Sequence, residues 1–385
     1  MDFSLTSDQR LIRDTVRQFM EAEVRGVIRE YEREEKFPHQ ELRRLGELGC
    51  CGMQVPDEWG GAGTDTVSYA VMLEEVARVD ASLAVALSVT NSVVGMPILN
   101  FGSTEQKKKH LIRLSRGEIL GAFCLTEPQA GSDAAGIQTR AVLDGDHYVL
   151  NGTKSWVTNG GVAGIYLVFA KTDPDAGAHG VTAFLVEPEC AGFRVSRYED
   201  KMGLRLSRSA EIVFENCRVP AANRIGEEGQ GLKVALASLD GGRVGIAAQA
   251  LGVAQAAMEA AVKYAKQRKT FSKPIAEYQA IQWMLADMQT EIEAARMLVY
   301  QAAWTRDAGS PRSGPIASRA KLYASEMANR VVAKAVQVHG SVGYSRETDV
   351  ERYYRDARVL TIYEGTSEMQ RTVIARDLLK VGARA

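Results

Sequence analysis

The two residue periodicities of this 385-residue chain do not alternate: a helical stretch comes first, short strands second and long helices last. From Thr6 to about Arg116 apolar residues recur at three- and four-residue spacing (Leu11, Ile12, Val16, Phe19 and Met20, then Val71, Leu73 and Val76), with breaks at Pro38, at Gly60-Gly61-Ala62-Gly63 and at Pro97. Between about Gly121 and Pro220 the pattern changes to β-rich runs at 148–150, 165–170, 182–186 and 211–214. Asp144-Gly145-Asp146 and Asn151-Gly152 read as the hairpin turns that separate them. Helical periodicity returns over 231–267, 277–308 and 316–338, and once more after Glu364. A doubly wound parallel sheet needs strands and helices to alternate, so this order disfavours it. The pattern predicts a mostly helical α+β chain in three parts: a helical domain over 1–120, a small antiparallel barrel or sandwich over 121–225, and a helical bundle over 226–385.

Composition removes several function classes. A formal net charge of -1 supports neither a nucleic-acid partner nor attachment to a charged membrane surface. The longest apolar run, Ala81 to Val94, carries Ser82, Ser88, Thr90 and Asn91 and reads as too short and too polar to span a bilayer. Five cysteines (Cys50, Cys51, Cys124, Cys190, Cys217), without C-x-x-C spacing, suit a reducing compartment. The first residues carry neither a signal-peptide nor a transit-peptide pattern, so the expected location is the cytoplasm, or the mitochondrial matrix for a processed chain. No G-x-G-x-x-G, P-loop or H-E-x-x-H is present, and the five histidines are dispersed, which leaves metal and Ser/His chemistry without support.

Three segments carry candidate chemistry. Residues 362–371 (IYEGTSEMQR) set Glu364 beside Gly365, which permits close approach of a ligand, before a helix that Thr366 or Ser367 caps. Such a carboxylate can act as a base, though a solvated turn gives the same string. Residues 123–133 (FCLTEPQAGSD) read as a strand entering a loop of small and polar residues that offers N–H and hydroxyl donors. Downstream, Trp156 and Thr158 fall two residues apart, on one side of a strand, where a lone Trp is ordinarily core. Residues 337–344 (QVHGSVGY) place Gly340 and Gly343 after a helix, either as caps or as a place where a diphosphate meets main-chain amides. Asp240 and Arg243, at i,i+3, fit a surface ion pair as they stand.

Taken together, residues 124–136 (CLTEPQAGSDAAG), residues 337–356 (QVHGSVGYSRETDVERYYRD), Arg268-Lys269-Thr270-Phe271 and the closing YEGTSE resemble the acyl-CoA dehydrogenase family of flavoproteins over essentially the whole chain. The strings LDGGRVGIAAQALGVAQ and EDKMGLR look most like short-chain members. The departures are Gln129, where glycine is common, and Arg208, where small hydroxyl residues are usual. The resemblance implies FAD as cofactor. Phe123, Leu125 and Thr126 would face the flavin pyrimidine edge, Ser132 a phosphate, Trp156 the ring face and Thr158 the N5 edge. Arg268, Phe271, Gln279, Gln337, Gly340 and Ser341 would reach the FAD of a neighbouring subunit in a homotetramer, and Thr366 and Glu368 would complete that site. Asp240 and Arg243 would hold the CoA moiety, with Ser132, Tyr363 and Gly365 also against substrate. Glu364 would be the base of an α,β-dehydrogenation, with electrons passing to an electron-transferring flavoprotein. Another acyl group, reaction with oxygen, or a non-catalytic helical interaction protein of the same fold are the alternatives.

Overall fold

The computed structural model describes residues 3–381. Eight α-helices open the chain: α1 (Ser7–Phe19), α2 (Ile28–Glu34), α3 (His39–Glu47), α4 (Thr66–Ala77), α5 (Ala81–Ser88), α6 (Met96–Phe101), α7 (Thr104–Gln106) and α8 (Ile112–Ser115). Their starts are chemically marked. Thr6 and Gln9 form a reciprocal capping box, Asp65 accepts the Ser68 N–H at 2.7 Å, and Asp80 accepts those of Ser82 and Leu83 at 2.8 and 3.0 Å.

Pro97, expected to break a helix, does not. The π-helical stretch Val89–Gly95 joins α5 to α6, and Pro97 falls in the first turn of α6, where the wider register has already interrupted the hydrogen-bond ladder. The apolar run is therefore longer than expected. Ala81–Phe101 is one helix of 21 residues with mean hydropathy 1.6, long and apolar enough to cross a membrane, but 89% of its apolar window is buried inside the protein.

The strands are β1 (Gly121–Cys124), β2 (Arg140–Asp144), β3 (His147–Thr158), β4 (Ile165–Lys171), β5 (Val181–Val186), β6 (Phe193–Tyr198), β7 (Ser209–Pro220) and β8 (Arg224–Ile225). They pair in the order β6-β7-β3-β2-β4-β5-β8, with β1 also on β4. Most pairs are antiparallel, as expected. The β1–β4 ladder and a single β2–β4 pair are parallel, so the sheet is mixed. On β4 and β5, alternate residues enter different cores: Leu167, Phe169 and Leu185 join the helical core, whereas Tyr166, Val168 and Phe184 enter a second cluster with Tyr148, Phe214 and Cys217. Burial on both faces explains why these strands read as unbroken apolar runs.

Asp144-Gly145-Asp146 is the β2–β3 hairpin, but Asn151-Gly152 is not a turn. It is a bulge inside β3. Gly152 has φ 153°, and a Cβ there would lie 2.4 Å from Thr139 Oγ1, so the glycine serves close strand packing rather than chain reversal.

The last third holds α9 (Gly231–Gln267), the short hairpin strands β9 (Lys269–Thr270) and β10 (Lys273–Pro274), α10 (Gln279–Asp307), α11 (Ser313–His339), α12 (Val350–Ala357) and α13 (Ser367–Val381). The central α9 packs on α4, α10 and α11. Two buried junctions hold the three parts together. Arg352 of α12 donates to Asp80 Oδ2 at 2.9 Å and to the Val79 carbonyl at 3.1 Å, while Asp356 accepts the Leu204 N–H at 2.6 Å. Asn159, just after β3, donates to the carbonyls of Ala86 and Gly121 at 3.2 and 2.9 Å.

Candidate active site

Glu364 sits in a turn that its neighbours hold in an unusual shape. Its φ is 54°, in the left-handed region that β-carbon sterics disfavour, and Gly365 follows at φ 90°. Two buried side chains secure the turn. Gln370 donates to the carbonyls of Glu364 and Gly365 at 3.1 and 2.9 Å, and Lys321 Nζ donates to Gly365 O at 2.7 Å. Thr366 caps α13 as expected, accepting the Met369 N–H at 3.3 Å. Lys321 was not legible as a site residue, but it is a lysine on a buried helix face of small residues with Ala317, Ser318, Ala324, Ser325 and Ala328. That pattern is the signal that finds it.

The Glu364 carboxyl points at α9. A Cβ on Gly242 would lie 2.1 Å from Glu364 Oε2, so only glycine leaves room for it. Oε2 is buried and has no hydrogen-bond partner within the chain. Burial pushes its pKa up to about 7, against the opposing pull of Arg243 and Lys321. Burial likewise pushes Lys321 down to about 8. Tyr363 is anchored beside it, its hydroxyl donating to Gln249 Oε1 at 2.5 Å. Asp240 and Arg243 pair at 2.6 Å, but not on an open surface: the guanidinium is largely buried, and its Nε has no partner within the chain. Burial raises the Asp240 pKa. A buried carboxylate oxygen and a buried guanidinium N–H, both unpaired near one helix face, cost free energy unless a ligand completes them.

A second group of residues converges at the edge of the sheet. Ser155 N–H donates to Thr126 O at 2.9 Å, which brings the loop after β1 against the end of β3. Trp156 is not core. It has φ 59° within a register shift of β3 and is 60% exposed, its ring displayed on the side away from buried Val157, with Thr158 half-buried nearby. An aromatic face left bare beside the hydroxyls of Thr126 and Thr158 fits a planar heterocycle. Phe123 is half-buried against Phe169, Leu125 is buried, and Ser132 is exposed on the loop. The loop itself is built by a pair that no motif reading singled out: buried Lys154 donates to Glu127 at 2.7 Å and to Leu125 O at 3.0 Å. Glu127 also accepts the N–H groups of Gln138 and Thr139, and that of the Gln129 side chain. Burial alone would raise the Glu127 pKa, but Lys154 and these donors hold it below its ordinary value. Gln129 thus acts inside the loop. Arg208 reaches Glu35 O at 3.3 Å and covers Tyr198, and its carbonyl accepts the Asn159 N–H at 2.8 Å.

The third group stands apart from the first two. Arg268 and Phe271 lie on the β9–β10 hairpin, where Phe271 is 89% exposed. Gln337, Gly340 and Ser341 are exposed at the end of α11, and Gln279 at the start of α10. A stack of Tyr264 on His339, 4.4 Å between ring centroids, joins the two segments. Glu368 is exposed in the first turn of α13, near Thr366.

An orphaned carboxylate oxygen thus faces a helix glycine, and an exposed tryptophan stands at the sheet edge. Family profiles of the acyl-CoA dehydrogenase N-terminal, middle and C-terminal domains match residues 6–118, 122–217 and 229–379. The chain belongs to the acyl-CoA dehydrogenase family. Among its relatives, the short-chain specific acyl-CoA dehydrogenase of Clostridium acetobutylicum is 46% identical over 99% of this chain and 100% of its own. Acryloyl-CoA reductase (NADH) of Anaerotignum propionicum is 45% identical over 99% and 96%. The solved structure of butyryl-CoA dehydrogenase from Megasphaera elsdenii superposes with a TM-score of 0.97 at 46% identity, covering 98% of this chain and 100% of that one.

Proposed function

We propose that the protein is an FAD-dependent acyl-CoA dehydrogenase that converts short- to medium-chain acyl-CoA to the trans-2-enoyl-CoA. The observation that carries this reading is Glu364 itself, whose carboxyl oxygen Oε2 is buried and unpaired and whose pKa desolvation raises to about 7. A general base works best with a pKa near the operating pH, and an ordinary surface carboxylate lies far below it. Bound FAD would supply the acceptor for the hydride that leaves the substrate β-carbon.

Each protein group then has a task. Glu364 takes the α-proton, and its backbone N–H, fixed by the left-handed turn, is aimed at the thioester oxygen where charge develops. Asp240 and Arg243 hold the CoA moiety with Ser132, and Tyr363 and Gly365 flank the acyl group. Phe123, Leu125, Thr126, Trp156 and Thr158 receive the flavin. The Leu125 carbonyl accepts from Lys154, which fixes this backbone segment.

The exposed group, Arg268, Phe271, Gln279, Gln337, Gly340 and Ser341 with Thr366 and Glu368, serves the FAD of a second subunit in a homotetramer. A bare stripe on α10 supports assembly: Trp283, Met297 and Trp304 are exposed at multiples of seven residues. The working division of the chain is 1–120, 121–225 and 226–385. An electron-transferring flavoprotein accepts the electrons, and the five free cysteines suit a cytoplasmic or mitochondrial-matrix setting. Electron donor and acceptor set the direction, so the acryloyl-CoA reductase relative makes enoyl-CoA reduction the second reading. In that direction Glu364 returns the proton to the α-carbon.

The test is Glu364→Gln. The variant should be yellow and bind acyl-CoA while flavin bleaching slows by about 10²–10⁴-fold. Bleaching within tenfold of wild type overturns the assignment.

A further inference from the structure

The face of α9 that carries Gly242 also carries Gly245, one helical turn onward. A Cβ on Gly245 would lie 2.5 Å from both the Tyr69 hydroxyl and Ser88 Oγ, and 3.2 Å from Leu73 Cδ1. Tyr69 and Ser88 are fully buried and hydrogen-bonded to each other at 3.1 Å, which joins α4 to α5 across the glycine. Along α9 the order is thus Asp240, then Gly242 under the Glu364 carboxyl, then Arg243, then Gly245 under the Tyr69–Ser88 pair. One further turn on, Gln249 is held between Tyr363 and the Ala81 carbonyl, which it reaches at 2.7 Å.

We propose that the Tyr69–Ser88 pair is the end wall of the acyl pocket and limits the substrate to tails of roughly four carbons. This rests on the reading of Glu364 as the base. If the α-carbon lies at Glu364 and CoA at the Asp240 end of this face, the tail runs along the glycine face toward Gly245. Three residues of helix rise are about 4.5 Å, the reach of a few carbon atoms and not of an octanoyl tail. The wall is not a flexible apolar side chain. Tyr69 is a rigid ring whose hydroxyl is already satisfied, so displacing it would break a buried hydrogen bond as well as the packing.

The experiment compares anaerobic flavin reduction by butyryl-CoA and octanoyl-CoA in wild type, Tyr69→Leu and Tyr69→Phe. Wild type should favour butyryl-CoA. The octanoyl-to-butyryl ratio of kcat/KM should rise at least tenfold in Tyr69→Leu, since pocket discrimination is worth about 10–200-fold for even one methylene. Tyr69→Phe should shift the ratio in the same direction but less. The phenylalanine variant, which keeps nearly all the volume, remains a test if the leucine variant does not fold. An unchanged ratio in a soluble, flavin-loaded Tyr69→Leu, or in Tyr69→Phe alone if only that one folds, overturns the proposal. Wild type that no acyl-CoA bleaches would instead overturn the dehydrogenase reading, so the two failures are distinct.

Discussion

The Glu364 turn and the Arg268 hairpin are both read as parts of one site, yet they are built in opposite ways. Glu364 is fixed by buried groups of its own chain, Lys321, Gln370 and the bare Cα of Gly242. Around Arg268, Phe271 and Gln337 the side chains are exposed, and the segment beneath them is held by the Tyr264–His339 stack, the Ile275 N–H on the Arg268 carbonyl and the Tyr278 hydroxyl on the Thr270 carbonyl. A base must be desolvated to work near neutral pH, so it is set in the interior. On the proposed assembly, the second surface stays bare until another subunit covers it.

The largest expected effect attacks the interior half. Glu364→Gly should abolish flavin reduction by butyryl-CoA, and adding Gly242→Glu should restore part of it, because the two positions meet at one point in space. Some family members, the isovaleryl type among them, carry their glutamate at the position of Gly242. Recovery should be incomplete, since the turn that orients the native carboxylate does not orient the new one. Single-turnover bleaching measures it, and full activity in Glu364→Gly alone would place the base elsewhere.

Next comes a direct contrast between buried and exposed charge. Lys154→Met leaves the Glu127 carboxylate buried without its cation and should cost about 3–5 kcal/mol of stability, read as a lower melting temperature together with flavin loss. Arg268→Ala should leave the melting temperature of the flavin-free protein within a degree or so, but weaken FAD retention by roughly 10–100-fold for a lost charged hydrogen bond. Light scattering should show mass falling with flavin content. Equal thermal damage from both substitutions would erase the distinction between the two regions.

The smallest effect is on pH. Turnover should rise with pH through about 7, as Glu364 loses its proton. Lys321 favours the ionised form, so Lys321→Met should move that midpoint upward, by less than a tenfold change in rate at pH 8. The sign for stability is opposite to that of an ordinary paired carboxylate. A folded-state pKa above the usual 4.5 means that the folded chain holds the extra proton, so this contribution is present at low pH and lost as pH rises through about 7. Glu364→Gln should accordingly melt higher than wild type at pH 8 and nearly with it at pH 5. A midpoint that does not move in Lys321→Met would show that the lysine only holds the turn.

Much of this was legible in the residues. Helix α9 was bounded at 231–267 from periodicity alone, strands β4 and β5 to within a residue from their apolar runs, and β7 only by its middle at 211–214. The misreadings share a cause. Asn151-Gly152 looks like a turn and Pro97 like a stop because local propensity favours both, but a neighbouring strand and a π-helical register override it. At Trp156 local pattern alone favours the core, whereas the resemblance turned the ring toward a cofactor; a bulge leaves it exposed.

Local order and chemical type were thus determined by the sequence itself, because periodicity, capping residues and a carboxylate beside a glycine act over a few neighbouring positions. Only the tertiary structure decided that Glu364 meets Gly242 across 122 positions of chain, that Lys321 and Gln370 hold its turn, and that Tyr69 faces Gly245. The raised pKa, the unpaired oxygen and the Tyr69–Ser88 contact on Gly245 all follow from desolvation and close packing between segments remote in the chain, which no local pattern encodes.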